Sequence, residues 1–318
     1  MRALWAALLL AACAPAERID APAAPSGWTI APEGDLNRFF DCLAAEKITL
    51  VSAHRGGPAP GYPENAIATF EATLARAPAI LEIDVAQSAD GVLFLLHDET
   101  LDRTTTGTGA AAGLAYAEIK KLRLKDPEGR VAGAAPPRLD DVLAWAAGRT
   151  LLQLDIKRSA RYEDVAAAVK AARAEARVIL VATSVGQAKK LHRLLPAAMI
   201  SLNMSAQSDL NRAVAAGAPA DRLLAFTGTK EAEPRLFDAL AGRDVEIVFG
   251  TLGPGESIDA AIAASGDDSQ YADIAAMGVD IIATDRPAEA GAALAEAGRG
   301  ARDGVCGVRA PAGARPRH

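Results

Sequence analysis

The sequence predicts an α/β protein and, within that class, a closed (β/α)₈ barrel. Eight short runs of β-branched and aliphatic residues recur along the chain, and alanine-rich segments with helical spacing separate them. Alternation of strand and helix favours parallel strands joined by crossover helices. Eight such strands within about 250 residues fit a closed barrel better than an open sheet. Half of the 318 residues are hydrophobic, so the chain can bury a sizeable core.

The elements follow in chain order. The predicted strands are Ile48–Ala53, Ile80–Val85, Thr150–Ile156, Val178–Thr183, Met199–Asn203, Leu223–Phe226, Val245–Gly250 and Val279–Ala283. Helical segments between them include Tyr162–Ala176, Val185–Leu195, Gln207–Ala216 and Glu231–Ala241. The stretch 87–140 exceeds a normal strand-to-helix connection, so we predict a small insertion subdomain between strands two and three, with a hairpin around 89–91. The barrel domain is predicted to span 34–298, and the Gly-, Arg- and Pro-rich residues 299–318 are predicted to form a disordered tail.

The first residues predict an export signal. A positive residue, Arg2, precedes the apolar run Ala3–Leu10, and small residues stand directly before Cys13. The pattern resembles the bacterial lipoprotein signal, in which cleavage leaves a lipidated N-terminal cysteine that anchors the protein to a membrane surface. We therefore expect a signal peptide over 1–12, a tether over 13–33, and a location on the periplasmic side of a membrane. An ordinary signal peptide with an incidental cysteine, releasing the protein into the periplasm, and an N-terminal helix are the alternatives.

Two further cysteines bear on the cellular compartment, and the net charge bears on the kind of partner. Cys42 and Cys306 lie before the first predicted strand and after the last predicted helix, elements that a closed barrel brings together. In an oxidising compartment a Cys42–Cys306 disulfide is one expectation, and two free thiols are the alternative. The net charge of −6, with no basic block, argues against nucleic acid as a partner.

Charged residues cluster near the ends of predicted strands two and three. Glu82 and Asp84 are two positions apart, so their side chains point the same way, as do those of Asp155 and Lys157. Buried charges are costly unless they are paired or bound to an ion, and one lysine cannot neutralise three carboxylates. A hard divalent cation can, and oxygen ligands favour Mg²⁺ or Ca²⁺. The alternative is a set of solvated surface charges.

Two of the four histidines fall where such a barrel builds its active site. His54 follows directly on the first predicted strand, and His97 ends the run 92–96. Because imidazole titrates near neutral pH, a pair of histidines can serve as general base and general acid. A lone histidine beside a strand is more often a packing or capping residue. Two of them near an arginine, a lysine and three carboxylates favour catalysis.

An ordered set of motifs extends this interpretation. The motifs are His54-Arg55-Gly56-Gly57, Pro63-Glu64-Asn65, Glu82-Ile83-Asp84-Val85, Asp90-Gly91, His97-Asp98, Leu101 with Arg103-Thr104-Thr105, Asp155-Ile156-Lys157 and Thr284-Asp285-Arg286-Pro287. In order and spacing they resemble those of the glycerophosphodiester phosphodiesterase family. The dense part covers residues 52–109, and fold-level similarity extends to about residue 298. The resemblance implies a TIM barrel and metal-dependent hydrolysis of small glycerophosphodiesters to an alcohol and glycerol phosphate.

The resemblance also implies roles for seven side chains. By this resemblance the metal ligands are Glu82, Asp84 and Asp155, holding one Mg²⁺ or Ca²⁺, the acid–base pair is His54 and His97, and the phosphate is held by Arg55 and Lys157. The family usually has glutamate at the position of Asp155. We expect Glu64 and Asn65 to cap the following helix and orient the first loop rather than to touch phosphorus. Asp98 is expected to play a structural part.

The chemistry of a phosphodiester sets the expected mechanism. The ester is an anion, so the site must neutralise the charge that builds on its non-bridging oxygens. One histidine is expected to deprotonate the glycerol 2-hydroxyl, which attacks phosphorus while the other histidine protonates the leaving alcohol. Water would then open the cyclic phosphate. The alternatives are a lysophospholipase D or sphingomyelinase D-like lipid hydrolase on the same scaffold, and a lipoprotein that binds phosphodiesters without catalysis.

Overall fold

The computed structural model describes residues 26–312, in which short strands and helices alternate. The strands are β1 (Thr29–Ile30), β2 (Leu50–Ala53), β3 (Ala79–Gln87), β4 (Leu93–Leu95), β5 (Leu152–Ile156), β6 (Val178–Ala182), β7 (Met199–Asn203), β8 (Leu223–Phe226), β9 (Glu246–Gly250), β10 (Ile281–Thr284) and β11 (Val308–Arg309). The helices are α1 (Leu36–Ala45), α2 (Ile67–Arg76), α3 (Tyr116–Ile119), α4 (Leu139–Trp145), α5 (Tyr162–Ala171), α6 (Val185–Leu194), α7 (Gln207–Ala215), α8 (Pro234–Ala241), α9 (Ile258–Ser265), α10 (Gln270–Ala276) and α11 (Pro287–Glu296). Within residues 26–312, no helix has the length and apolar character required to cross a membrane.

Eight parallel strands close into a barrel. Their order is β2, β10, β9, β8, β7, β6, β5 and β3, and β3 pairs in turn with β2, which completes the ring. Each of the eight predicted strands is present, and helices connect most successive strands on the outside. The predicted (β/α)₈ barrel is therefore confirmed.

The barrel strands bury both of their faces. Leu50, Ile179 and Val248 belong to a cluster inside the barrel, whereas the neighbouring residues Val51 and Leu180 pack in a second cluster beneath the helices. Because successive side chains point to opposite faces, a strand in this position needs apolar residues at almost every place. This explains why the strands are visible as continuous aliphatic runs in the sequence.

Helix α1 closes the end of the barrel at which the strands begin. Its buried side chains join the interior cluster, and they are Leu36, Phe39, Phe40 and Leu43. The helix begins after Asp35, whose carboxylate accepts a hydrogen bond from the backbone N–H of Asn37 at 2.8 Å. A Cys42–Cys306 disulfide, with Cα atoms 5.8 Å apart, joins α1 to the chain that follows α11. The disulfide expectation is thus confirmed.

The structure corrects the predicted domain limits at both ends. Residues 299–312 of the tail predicted as disordered (299–318) are placed, because Val308 is buried and β11 pairs antiparallel with β1. The tether predicted for 13–33 does not extend to residue 33, because Ile30 of β1 is buried in the interior cluster. The backbone N–H of Ile30 also donates to the carbonyl of Arg149 at 2.8 Å, which ties β1 to the barrel. The predicted signal peptide, the lipidated Cys13 and the remainder of the tether lie outside the described residues.

The chain between β3 and α4 forms the predicted insertion. Strand β4 pairs antiparallel with the end of β3, so that Val85 faces Leu95 across the hairpin. A separate small apolar cluster lies beneath it, containing Ala86, Phe94, Leu96, Leu101, Ala111 and Ile119. The backbone N–H of Leu96 donates to the carbonyl of Asp84 at 3.0 Å. This bond brings His97 to the carboxyl end of β3.

Candidate active site at the carboxyl ends of the strands

Three carboxylates meet where β3 and β5 lie side by side. Asp84 pairs in register with Asp155, and Glu82 lies two residues earlier on the same face of β3. One oxygen of each carboxylate lies within 4.8 Å of the other two. The Asp84 side chain is 2% exposed and that of Asp155 is 36% exposed, so the group opens toward solvent at Asp155. The structure therefore brings the three predicted metal ligands together.

The ammonium of Lys157 lies between two of these carboxylates. Its Nζ is 2.6 Å from Oδ1 of Asp84 and 2.6 Å from Oδ2 of Asp155. Burial disfavours the charged amine, but the two carboxylates outweigh that effect and raise the pKa of Lys157 above its ordinary value. Lys157, predicted to hold phosphate, thus lies at the same place as the carboxylates and partly neutralises them.

The pKa of Glu82 shows that the nearby positive side chains do not neutralise all three carboxylates. Its carboxylate accepts a hydrogen bond from the backbone N–H of Arg55 at 2.8 Å. Burial, and after it the charge of Asp84, raise the pKa of Glu82 to about 8. Glu82 therefore resists ionisation, because the nearby positive charges do not offset the negative charge of the three carboxylates. Three oxygen ligands with an excess of negative charge are the donor set that a hard divalent cation prefers. The residues present therefore fit a cation such as Mg²⁺ or Ca²⁺.

Asn65 holds Asp84 in place and does not cap a helix. Its side-chain amide donates to Oδ2 of Asp84 at 2.7 Å, and its carbonyl oxygen accepts from the backbone N–H of Asp84 at 2.9 Å. Its φ of 58° lies in the left-handed region, which asparagine tolerates better than most residues. Helix α2 begins after Ala66 without a side-chain cap, so the capping role expected of Glu64 and Asn65 is wrong.

His54 lies in the turn that follows β2 and is oriented by Asp285. Its Nδ1 is 2.7 Å from Oδ1 of Asp285, while Oδ2 of Asp285 accepts from the backbone N–H of Gly253 at 3.1 Å. Burial disfavours the imidazolium, but the hydrogen bond to Asp285 and the charge of Glu82 outweigh it, so the pKa of His54 is raised. With Nδ1 engaged, proton exchange falls to Nε2.

Asp285 was assigned no role from the sequence, although the signal was present. It directly follows β10, and β10 pairs with β2 so that Thr284 lies opposite Ala53. The residues that follow these partners are Asp285 and His54. The closure of the barrel therefore predicts their contact once the first and last strands are taken as neighbours.

His97 has the same kind of partner on the other side of the site. Its Nδ1 is 2.6 Å from Oδ1 of Asp98. Arg103 donates to both oxygens of Asp98, from Nε at 2.7 Å and from Nη2 at 2.9 Å, and this guanidinium holds the pKa of Asp98 well below its usual range. Asp98 is therefore a charged acceptor that fixes the orientation of His97, consistent with the structural part expected of it.

Glu64 joins the two halves of the site. It accepts hydrogen bonds from Nη1 of Arg55 at 3.1 Å and from Nη1 of Arg103 at 2.7 Å. Nε of Arg55 lies 3.8 Å from Oδ2 of Asp84, beside the three carboxylates. The predicted phosphate-binding Arg55 is thus held between the buried carboxylates and the arginine that supports His97. All seven predicted side chains belong to this one end of the barrel.

The comparisons with known proteins agree with this geometry. The Glycerophosphoryl diester phosphodiesterase family matches residues 54–289. A glycerophosphodiester phosphodiesterase of Caldanaerobacter subterraneus is 39% identical over 111 residues, which are 34% of this chain and 45% of that protein. The chain therefore spans less than half the length of this curated relative.

Two solved structures show the same fold. A glycerophosphoryl diester phosphodiesterase from Parabacteroides distasonis superposes with a TM-score of 0.81 at 30% identity, over 89% of this chain and 99% of the other. An Oleispira antarctica phosphodiesterase, in complex with the product sn-glycerol-3-phosphate, superposes with a TM-score of 0.61 at 20% identity, over 79% of this chain and 99% of the other. The family match covers more than half of the residues and contains all seven predicted site residues. The chain belongs to the glycerophosphoryl diester phosphodiesterase family.

Proposed function

We propose that this protein hydrolyses glycerophosphodiesters to an alcohol and glycerol phosphate with the help of one divalent cation. The observation that carries the proposal is the group of three carboxylate oxygens within 4.8 Å of one another, at the strand ends that carry His54 and His97. The sn-glycerol-3-phosphate bound to the Oleispira antarctica protein supports a small phosphorylated product. The relatives from Caldanaerobacter subterraneus and Parabacteroides distasonis are glycerophosphodiester phosphodiesterases, which supports the same activity here.

Glu82, Asp84 and Asp155 would hold this cation, which is Mg²⁺ or Ca²⁺. When bound, it supplies positive charge that stabilises the negative charge on the phosphorus oxygens. Arg55 and Lys157 add to that charge from the same end of the barrel. Contacts with Asp84 keep the positive side chains of Arg55 and Lys157 beside the carboxylates, although the whole protein is negatively charged.

The two histidines transfer the protons. One takes the proton of the glycerol 2-hydroxyl, whose oxygen attacks phosphorus and forms a cyclic phosphate, and the other gives a proton to the leaving alcohol. Water then opens the cyclic phosphate with the roles reversed. Because Asp285 and Asp98 engage the Nδ1 atoms, each histidine exchanges protons through Nε2.

A single assay tests this proposal. The purified protein is stripped of metal with a chelator and is then given Mg²⁺ or Ca²⁺, with glycerophosphocholine as substrate. We expect release of glycerol phosphate that requires added cation. Lysophosphatidylcholine is the comparison substrate, and preferential cleavage of it would favour a lipid hydrolase. Binding of glycerophosphocholine without product in either metal would overturn the proposal in favour of a binding protein.

We also propose that the protein is exported and anchored to a membrane through a lipidated Cys13, facing the periplasm. The sequence before Cys13 supports export, and the Cys42–Cys306 disulfide is typical of an oxidising compartment. Expression of the full chain and of Cys13→Ser tests it by mass spectrometry and membrane fractionation. The mature chain should begin at a Cys13 carrying acyl groups, and Cys13→Ser should leave the membrane fraction. An unmodified Cys13 in a soluble chain would contradict the anchor.

A further inference from the structure

We propose that Asp259 of α9 is a positioning residue for His54 and that it acts through Asp285. This inference rests on the proposed function, because it assumes that His54 transfers a proton. Asp259 touches neither of the two histidines, and its side chain lies behind β10. At 3% exposed it is among the most buried carboxylates among residues 26–312. A carboxylate in that position needs strong partners.

The carboxylate of Asp259 is fully engaged by donors next to Asp285. Its Oδ1 accepts from the hydroxyl of Tyr271 at 2.6 Å and from Oγ1 of Thr284 at 2.8 Å. Its Oδ2 accepts from the backbone N–H of Asp285 at 2.7 Å. Two of the three donors therefore belong to Thr284 and Asp285, at the end of β10. Charge-assisted bonds of this length are stronger than those between neutral groups.

The helix itself does not need Asp259. Ser257 is the N-cap of α9, and its hydroxyl oxygen accepts from the backbone N–H of Ala260 at 3.1 Å. An aspartate in the first turn ordinarily serves the helix end, but this one is directed to another strand. The backbone N–H of Asp259 donates in turn to the carbonyl of Thr251, at the end of β9. Asp259 therefore ties the end of β9 to the end of β10.

The catalytic consequence follows from the two ends of Asp285. Its main chain is held by Asp259, and its side chain engages Nδ1 of His54 at 2.7 Å and the N–H of Gly253. The carboxylate of Asp259 thus determines the position of the His54 imidazole through Asp285. A displacement of a reacting group by about 1 Å can cost on the order of 10²-fold in rate. Loss of Asp259 should therefore lower turnover although the substrate is still bound.

Asp259→Asn is the variant that tests this. The amide keeps the shape of the side chain but removes its charge, and it leaves one acceptor oxygen where the carboxylate has two for Tyr271, Thr284 and the N–H of Asp285. The measurements are kcat and KM for glycerophosphocholine, the affinity for Mg²⁺ or Ca²⁺, and the ¹H NMR signal of the His54 Nδ1 proton. That signal is identified by its loss in His54→Ala. We expect kcat to fall about 10–100-fold, KM and metal affinity to stay within about twofold, and the signal to shift or broaden.

Asp280→Asn is the matched control. Asp280 also accepts a backbone N–H, that of Ile247 at 2.7 Å, but it lies at the opposite end of β10 from Asp285. Its replacement should change stability alone. If Asp259→Asn does not fold, Tyr271→Phe removes only one donor from the same carboxylate and should give a smaller fall in kcat and a smaller change in the signal.

Two outcomes would overturn the inference. One is an Asp259→Asn protein with normal kcat and an unchanged His54 signal. The other is a fall in kcat that matches the loss of folded protein, again with the signal unchanged. A wild-type protein without diester hydrolysis would contradict the proposed function instead, and the NMR comparison would still report whether Asp259 positions His54.

Discussion

Arg103 and Glu64 form a bidentate ion pair, in which Nη1 and Nη2 of the guanidinium reach the two carboxylate oxygens at 2.7 and 3.0 Å. The same guanidinium binds both oxygens of Asp98, the partner of His97. Arg103 therefore holds the residue that orients a histidine and the residue that orients Arg55. An exposed arginine usually contributes little to stability. The four charge-assisted hydrogen bonds of Arg103, however, fix the positions of Glu64 and Asp98 relative to each other.

Arg103→Lys should lower kcat by about 10–100-fold, because an ammonium cannot make two parallel bonds to each of two carboxylates. Steady-state kinetics on glycerophosphocholine would measure it. Arg138→Lys is the control, since Arg138 makes the same bidentate contact with Asp140 at the start of α4. Equal kinetics for Arg103→Lys and wild type would show that Arg103 does not support catalysis.

His54→Ala and His97→Ala should each lower kcat by roughly 10²–10⁴-fold, since each histidine transfers one proton in the proposed reaction. His192→Ala, on the outer helix α6, should leave the rate unchanged. The measurement is the turnover number with saturating metal. Full turnover in either variant would exclude that histidine from proton transfer.

Asp155→Asn should weaken Mg²⁺ or Ca²⁺ binding at least about tenfold, because an amide oxygen carries no charge and Lys157 would still compete with the ion for Asp84. Titration calorimetry on metal-free protein would measure the affinity. Asp238→Asn, an exposed change on α8, is the control. Metal affinity equal to that of the wild type would show that Asp155 is not a ligand.

Glu246→Gln should stabilise the protein more at pH 8.5 than at pH 5. Burial, and less strongly the charge of Asp280, raise the pKa of Glu246 to about 8 in the folded state, above its value of 4.5 in the unfolded chain. The folded protein therefore prefers the protonated acid. The wild type loses stability as pH rises from about 4.5 to about 8, by on the order of 5 kcal/mol.

Glutamine stays neutral and avoids that loss. Urea unfolding of the wild type and of Glu246→Gln at the two pH values measures the difference in the free energy of unfolding. Glu231→Gln, an exposed change, should show no such difference. A Glu246→Gln protein with the same pH dependence as the wild type would mean that Glu246 is ionised without cost in the folded state.

Much of the fold was predictable because each barrel strand is buried on both faces. The strands β6 and β7 stand out as aliphatic runs for that reason alone. The meeting of Asp84 with Asp155 was predictable as well, since it depends on alternation along two strands that are neighbours in the barrel. Such features rest on period and chain order, which a sequence contains directly.

Other features depend on the closed tertiary structure and were missed. The contact of His54 with Asp285 spans 231 positions and exists only because the ring of strands closes. The bonds from Arg103 to Glu64 depend on two irregular loops, whose course no periodicity predicts. The tail was wrongly predicted as disordered because a single buried apolar side chain, that of Val308, forms no pattern within a segment rich in glycine and arginine.

The pairing of β1 with β11 has a consequence for access to the site. Ile30 and Val308 pack at the end of the barrel where the strands begin, and the N–H of Ile30 donates to the carbonyl of Arg149, just before β5. The chain therefore enters the barrel on the side opposite the carboxylates. If the chain is anchored through Cys13 as proposed, its attachment therefore joins the barrel at the face away from the carboxylates and leaves the site clear of that junction.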